Sequence, residues 1–568
     1  METLNELLLN ANREYPDNIA IHDLASGVKL TQREFHQKAM NVRTYLANIN
    51  LKRGARVMIH AENDYHFACA NAGVLLAGGV AVPTTASGDA LKHQIKVTEP
   101  RILLTSAKER PTQTVSTSQI QRITSQWMTP CKAVTVRPED PAAIIFSTGT
   151  SRTTTSKLNG IVLSQRNITS NIIASRATLP DIPNAVYATG LADPSHSFEY
   201  MVQLGMLAFG NTLAYTTYKG AQKGELAAVK PDFMIMIPDI ATQRMKAFRR
   251  GIKKSGKFGD SLLRFFDHAI QCSGDYFENK LHGKQWDAYN ALIHAIAKPT
   301  IYKKIRSGMI EKLGIIPHFI GGSARLDKKL QKAFYGLGIT IYQGYGLTQT
   351  SPVVSVNTVN DYRFGSSGKP IDGVEVIIAD IDGVENGTIT TLPDGKPGHL
   401  LTHGPNVFTE YWGDKTATEA DFIGGYLKTG DIAYMDDGFL YIDGRLKRMI
   451  RLANGETLMP EAIEQRYSGS EGIDHLVIVE SPNAQDKHVG ALIVPSLEVR
   501  QKMGVSQSIE QTLADYRVAL SSEEIIRPNR IGIASVFHPD MHLNKGRKLN
   551  VNIFELDNRK VIDDLFND

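Results

Sequence analysis

Apolar residues in the first segment, 4–15, recur with helical spacing (Leu4, Leu7, Leu8, Ala11) and predict an amphipathic helix. Two later runs, ARVMIH at 55–60 and AAIIF at 142–146, are apolar and of strand length. Between them, residues 66–76 read as a helix leading into an extended stretch at 80–83. Strands alternating with helices predict a largely parallel sheet covered on both faces. From 244 to 312 the pattern becomes helical and rich in Lys, Arg and aromatics, as in MKAFRRGIKKSGKFGDSLLRFFDHAI. This segment reads either as a solvated helical excursion or as a basic amphipathic surface for a membrane or a protein partner.

Strand-like runs return at 318–322 and 339–343. A Gly- and Asp-rich stretch follows, in which 374–380, 387–392 and 398–403 read as short antiparallel strands of a subdomain. Asp436-Asp437-Gly438, set between YM and FLYI, signals a hairpin turn. Beyond Gly444-Arg445 the pattern is that of a compact mixed unit: a helix at 460–467, strands at 475–479 and 490–495, and a helix near 508–521. The boundary is placed at 445–448, giving a large domain, 1–445, and a small one, 446–568. No internal repeat or low-complexity tail interrupts either.

Length supports this division, since 568 residues exceed what one hydrophobic core organises, roughly 250–300. With 42% hydrophobic and 21% charged residues the composition is that of a globular protein, and a net charge of +4 gives no sign of a nucleic-acid partner. Cys69, Cys131 and Cys272 stand far apart, in no metal-ligand spacing, as expected of thiols in a reducing compartment. The first residues carry acids where a secretory leader would carry bases. The most apolar run, 72–83, falls short of the about 20 residues needed to span a bilayer. A soluble cytoplasmic protein is expected, with peripheral membrane contact left open.

Four motifs carry candidate chemistry. STGTSRTTTSKLNG at 147–160 directly follows an apolar strand, so its N–H groups and hydroxyls, with Lys157, could embrace phosphate oxygens; a flexible polar connector is the alternative. It lacks the G-x-x-x-x-G-K-[ST] spacing of a mononucleotide P-loop. YQGYGLTQT at 342–350 runs a strand into a glycine turn that exposes Tyr345, suited to a flat base, and Thr348, suited to a phosphate. In GYLKTGD at 425–431, followed by DGR at 443–445, Asp431 and Arg445 could clamp a ribose diol or form a structural ion pair. LNKGRKL at 543–549 puts lysines on a glycine turn, a pattern that by itself assigns no role.

In this order and spacing the four resemble the adenylate-forming superfamily of acyl-CoA synthetases, peptide-synthetase adenylation domains and luciferases. The resemblance covers nearly the whole chain: LLLNANREYPDNIAI, NAGVLLAGGVAVPTTAS, FSTGTSRTTTSKLNGIVLSQRN, LADPSHSFEYM, GGSARL, YQGYGLTQT, GPNVFTEYWGD, YLKTGD, GRLKRMIRLANGETLMPEAIE and GRKLNV follow in family order. The helical insert at about 244–312 and the form of LADPSHSFE are most similar to the long-chain fatty acyl-CoA synthetase branch.

The resemblance implies an α/β fold: a large N-terminal domain of parallel and mixed sheets with a small β subdomain, and a small mobile α+β C-terminal domain. It implies ATP-dependent activation of a carboxylic acid, here a fatty acid, to acyl-AMP with release of pyrophosphate, then transfer to CoA. A separate acyl carrier protein bearing phosphopantetheine is the alternative acceptor; a non-catalytic nucleotide-binding protein is the alternative outside the enzyme class. Ser147, Thr148, Gly149, Thr150 and Lys157 would embrace the outer phosphates. His196 would stand beside the acyl pocket and the metal. Gly321, Gly322, Ser323 and Ala324 would contact adenine and wall the acyl site. Tyr345, flanked by Gly344 and Gly346, would stack on adenine, Thr348 would hold the α-phosphate, and Asp431 and Arg445 would bind the ribose. Lys548, or Lys545, would bridge carboxylate and α-phosphate. The small domain would turn about a hinge near Lys447–Arg448 and present 453–457 to the thiol.

Three features depart from the family pattern, all near the phosphates. The phosphate loop is about four residues longer than S-G-T-T-G-x-P-K-G and lacks its proline. Arg547, not a lysine, follows Gly546. Gln349 replaces the glutamate that helps hold Mg²⁺. With Gln349 and Thr148 as the metal-side residues, an amide keeps an oxygen ligand but loses its charge, so weaker metal binding is expected and Gln349→Glu should maintain or raise the Mg²⁺-dependent rate.

Overall fold

The structure, a computed structural model, describes residues 2–107, 115–126, 128–129, 131–146, 160–190, 192–236, 238–254, 256–281, 283, 287–305, 307, 318–322, 326–451, 457–466, 473–481, 489–495, 526–534, 549 and 551–566. In the strand Pro141–Phe146, Ala143 and Ile145 face one apolar cluster and Ile144 and Phe146 another. A continuous apolar run buried on both faces is what an interior strand of a covered sheet requires. It belongs to a seven-stranded sheet in the order Glu410–Tyr411, Gly160–Ser164, Pro141–Phe146, Val80–Thr84, Arg56–His60, Ile102–Thr105 and Thr117–Gln119. From Pro141–Phe146 onward the strands run parallel; Gly160–Ser164 and Glu410–Tyr411 return antiparallel.

A second, nine-stranded sheet has the order Lys369–Pro370, Val353–Val356, Thr340–Gly346, His318–Gly321, Phe233–Met236, Val186–Thr189, Thr212–Tyr215, Ile19–Asp23 and Lys29–Thr31. Thr340–Gly346 through Ile19–Asp23 are parallel, with antiparallel strands at both edges. The predicted parallel sheet is thus two sheets with antiparallel borders. Tyr187, Phe233 and Ile320 face a central core between the sheets, shared with helices Leu4–Glu14, Gln32–Asn48, Tyr65–Leu76 and Ser197–Ala208. Ala188, Met234 and Phe319 face the opposite side, which Met245, Phe266 and Ile270 of helices Pro238–Lys253 and Gly259–Leu281 roof over. The basic helical segment therefore packs one side onto the sheet. Full burial of a side chain such as Phe266 stabilises by about 1.5–3 kcal/mol.

The subdomain is a five-stranded antiparallel sheet: Glu375–Ala379, Gly398–His403, Tyr426–Asp436 and Phe422–Ile423 in order, with Phe439–Arg445 pairing on Tyr426–Asp436. The hairpin at 436–438 forms as expected, with Asp437 and Gly438 at φ 50° and 76°. The strand expected at 387–392 does not form. Asp380 accepts from the Gly383 N–H and caps a short helix, Ile381–Glu385; the chain then returns for a single bridge, Thr391 to Ala379, flanked by hydrogen bonds from Asp380 N–H to Thr390 and from Leu392 N–H to Ile378.

Beyond Met449, a ribbon of Ile450–Arg451 and Thr457–Leu458 precedes helix Pro460–Arg466 and a three-stranded sheet of Ile473–Glu480, Val489–Pro495 and Ile526–Ile533. Leu476 and Ile478 pack with Ile463, whereas Val477 and Val479 pack with Phe554 and Ile562 of the last two helices. This period-2 alternation lets one short sheet carry two apolar layers. The helix expected near 508–521 lies outside the described residues.

Candidate active site

The strands His318–Gly321 and Thr340–Gly346 are parallel neighbours, and the crevice past the carboxyl ends of such strands is where α/β sheets place ligands. The second strand is buried through Ile341 and Tyr342 and ends in Gly-Tyr-Gly. A Cβ on Gly344 would stand 2.9 Å from the Ser355 carbonyl oxygen, and one on Gly346 only 1.8 Å from that of Pro352. Neither position tolerates a side chain while Val353–Val356 folds back so closely. Tyr345, between them, packs beside Ile378, Leu400, Ala433 and Leu440 of the subdomain.

Its Oη donates to Oδ2 of Asp431 at 2.6 Å. Asp431 lies on Tyr426–Asp436, directly across the hairpin from Arg445, whose Nε is 3.4 Å from Oδ1. The aspartate side chain is only 6% exposed, the arginine 51%. Preceding it, Gly430 takes φ 72° and donates its N–H to His399 Nε2 at 3.3 Å, while Thr429 Oγ1 accepts from the Asp431 N–H. Burial, and then the Asp431 charge, push the Tyr345 phenol well above its usual range, so it remains a proton donor. The buried Asp431 carboxylate thus joins Tyr345 and Arg445, which the motifs set far apart.

Thr348 opens a short 3₁₀ turn, Thr348–Thr350, and its Oγ1 lies 3.2 Å from Ser197 Oγ. Ser197 begins helix Ser197–Ala208, which His196 caps by accepting the Phe198 N–H at Nδ1, 3.3 Å away. With Nδ1 an acceptor, neutral His196 carries its proton on Nε2, and burial lowers its pKa against the opposing charges of Asp193 and Glu199. The Phe198 ring lies 3.4 Å from where a Cβ on Gly322 would stand. His196, Gly322 and Thr348 therefore share one neighbourhood, at a helix N-terminus that favours negative charge.

Gln349 donates from Nε2 to Tyr411 Oη at 2.9 Å, and that phenol donates to Asp421 Oδ2 at 2.6 Å. Burial and the Asp421 hydrogen bond hold the Tyr411 pKa above its ordinary value. Among the described residues nothing donates to Gln349 Oε1, which leaves that oxygen as a possible ligand atom. The turn itself is clamped by two amides: Asn171 Nδ2 and Asn406 Nδ2 each donate to the carbonyls of Thr350 and Val353.

The structure thus gathers His196, Gly322, Gly344, Tyr345, Gly346, Thr348, Gln349, Asp431 and Arg445 around the ends of the parallel strands. Ser147, Thr148, Gly149, Thr150, Lys157, Ser323, Ala324, Lys545, Lys548 and residues 453–456 lie outside the described residues. Sequence reasoning did not single out Ser197, Asn171, Asn406, Tyr411 or Asp421. A buried amide such as Asn171 within a helix is the one signal that could have pointed to them. Among the described residues no three His, Cys, Asp or Glu side chains come together as a metal site.

The family of AMP-binding enzymes matches residues 8–412. The long-chain-fatty-acid–CoA ligase FadD15 of Mycobacterium tuberculosis is 26% identical over 86% of this chain and 81% of its own. The chloroplastic long-chain-fatty-acid–[acyl-carrier-protein] ligase AEE15 of Arabidopsis thaliana is 27% identical over 66% of this chain, which spans 53% of that relative. Among solved structures, o-succinylbenzoate CoA synthetase from Bacillus subtilis, in complex with its acyl-adenylate intermediate, superposes with a TM-score of 0.71 at 16% identity, covering 96% of this chain and 97% of its own.

Proposed function

This chain belongs to the AMP-binding enzyme family, and from that premise we propose that it activates a fatty acid with ATP as the acyl adenylate and passes the acyl group to CoA. The observation that carries the reading is the meeting of Tyr345, Asp431 and Arg445 at the carboxyl ends of the parallel strands. In this reading the substrate carboxylate attacks the α-phosphorus of ATP and pyrophosphate leaves. Both partners are anionic, so the site must orient them and offset charge.

Asp431, preset by its two partners, accepts from the ribose hydroxyls, with Arg445 on the second side, and the Tyr345 ring lies against adenine. Thr348 donates to the α-phosphate. His196 stands by the acyl carboxylate, with Gly322, Ser323 and Ala324 as the pocket wall. Ser147, Thr148, Gly149, Thr150 and Lys157 enclose the outer phosphates, and Lys548, or Lys545, bridges the reacting groups. Mg²⁺ would be held mainly by the nucleotide's own phosphates, with Gln349 Oε1, to which no described residue donates, and Thr148 as the protein oxygens. When bound, the ion supplies charge neutralisation.

The working units are 1–445 and 446–568. Arg448 is already committed to the second unit, through Glu464 at 2.7 Å and Glu461 at 3.4 Å. Those ion pairs support a pivot beside it, near Lys447–Arg448. FadD15 supports CoA as the acceptor; the name of AEE15 supports a carrier-protein phosphopantetheine as the alternative. Unpaired Cys69, Cys131 and Cys272 favour a reducing compartment such as the cytoplasm.

The test is pyrophosphate release across short, medium, long and aromatic acids, with CoA, with holo-carrier protein, and with neither. Long-chain-dependent release and a CoA thioester are expected. Nucleotide binding without turnover on any acid would overturn the reading in favour of a non-catalytic binder.

A further inference from the structure

Between Arg244 and Arg264 eight lysines and arginines stand against a single acid, Asp260, in a chain whose total excess is four positive charges. The rest of the molecule is therefore slightly acidic, and its positive charge is concentrated on the end of helix Pro238–Lys253 and the connection into Gly259–Leu281. Arg249 pairs with Asp267, and Lys253 lies 3.9 Å from Asp260. The acids further along, Asp275 and Glu278, are turned to Lys332 and Lys328 of the body. Lys254 and Lys257 are exposed and make no ion pair among the described residues.

The surface of this helical segment also exposes apolar groups where it should be polar. Phe258, amid these lysines, is 75% exposed and Leu262 40%. On helix Ala288–Ala297, Tyr289, Leu292 and Ile296 are 53%, 58% and 47% exposed, spaced three and four residues apart, so they form one outward stripe. The inward side carries Ala297 in the core and His294 bonded to Ser273. Tyr289 is tied to His268, under two turns beyond Leu262 on the long helix, at 2.9 Å. Of the ten large hydrophobic residues exposed among the described residues, five lie here. A clustered apolar surface of this kind marks an interaction site.

We propose that this face, Arg250 to Leu262 with the stripe Tyr289, Leu292 and Ile296, docks the protein peripherally on an anionic phospholipid surface. An acidic protein partner would be met by the lysines alone. Rings and aliphatic side chains projecting between lysines match the layered chemistry of an anionic bilayer, charge at the headgroups and hydrocarbon beneath. The proposal does not depend on the reading of the active site.

The experiment is cosedimentation of the full chain with vesicles of phosphatidylcholine alone and of phosphatidylcholine mixed with phosphatidylglycerol, across a salt series. Binding to the mixed vesicles, weakened by salt, is expected. Phe258→Ser/Leu292→Ser and Lys253→Glu/Lys254→Glu/Lys257→Glu should each weaken it about tenfold or more. A control at an exposed apolar site elsewhere, Leu556→Ser, should bind like the parent. Pyrophosphate release on the preferred long-chain acid, supplied in solution without vesicles and measured in the same variants, should be unchanged, so that loss of docking and loss of catalysis are read separately. No binding to mixed vesicles at low salt overturns the proposal. So does binding that survives both surface variants or fails equally in Leu556→Ser. Retention by holo-carrier protein without vesicle binding would also overturn it and assign the face to a protein.

Discussion

The phenol of Tyr345 donates to the carboxylate of Asp431 at 2.6 Å across 86 residues of chain, and Arg445 approaches the other oxygen of the same carboxylate. Asp431→Ala removes the acceptor for both and the proposed ribose contact, so adenylation should fall at least ~100-fold, through lost positioning. Tyr345→Phe removes one hydrogen bond to a charged group, about 1.5–3 kcal/mol, and should cost ~10–100-fold in kcat/KM for ATP. Steady-state pyrophosphate release checks both; near-parental turnover of Asp431→Ala would contradict the site.

The chain Gln349–Tyr411–Asp421 argues against the expectation, drawn from the resemblance, that Gln349→Glu maintains or raises the rate. The Tyr411 proton is given to Asp421, so the residue at 349 must be the donor, which an amide is and a carboxylate is not. Gln349→Glu should therefore lower stability by about 1–3 kcal/mol and reduce, not raise, the Mg²⁺-dependent rate. Adding Asp421→Asn supplies a new donor to the phenol and should recover most of the loss. Urea unfolding of the four members of this cycle measures the coupling, and independent effects would refute the relay.

Acid should loosen the turn that carries Asp431. His399 is 4% exposed, and burial, with a contribution from Lys428, lowers its pKa from 6.5 to about 4. Because the folded value lies below the unfolded one, the contribution of neutral His399 is intact above pH 6.5. It is lost as pH falls from 6.5 toward 4, where the unfolded chain takes up a proton that the folded chain refuses. The loss approaches about 3 kcal/mol. Protonation at Nε2 would also end the hydrogen bond from Gly430. His399→Gln should flatten the dependence of unfolding free energy on pH across that window; an unchanged slope would show that other groups carry it.

Asn406 is 1% exposed and its Nδ2 serves two carbonyls of the Thr348 turn. Asn406→Ala should destabilise by about 1–3 kcal/mol, with Asn171 retaining part of the clamp. Asn406→Asp sets a carboxylate against those carbonyls and should be worse than Ala in both urea unfolding and turnover. Equal effects would mean that the side chain only fills space.

Much of the outline was legible because it rests on local rules. The alternation that buries 142–146 on two faces, the Asp-Gly turn at 437–438 and the glycines flanking Tyr345 are all properties of a few adjacent residues. The strand expected at 387–392 is reduced to a single bridge, Ala379 to Thr391, after a short helix capped by Asp380 that the pattern did not signal. Tyr411 and Asp421 left no mark in the pattern, since a tyrosine ending a two-residue strand and an aspartate after a short helix are ordinary surface residues until the chain brings Gln349 to them.

Periodicity, turn chemistry and ordered motifs were enough to predict parallel strands under helices, the family and a set of candidate site residues, because each depends on spacing within a single segment. Which carboxylate Tyr345 would meet, whether position 349 wants a donor or a charge, and which flank of the basic helices faces water depended on segments tens to hundreds of residues apart being packed together. Hydrogen-bond direction and burial exist only once that packing excludes water, and no single segment contains them.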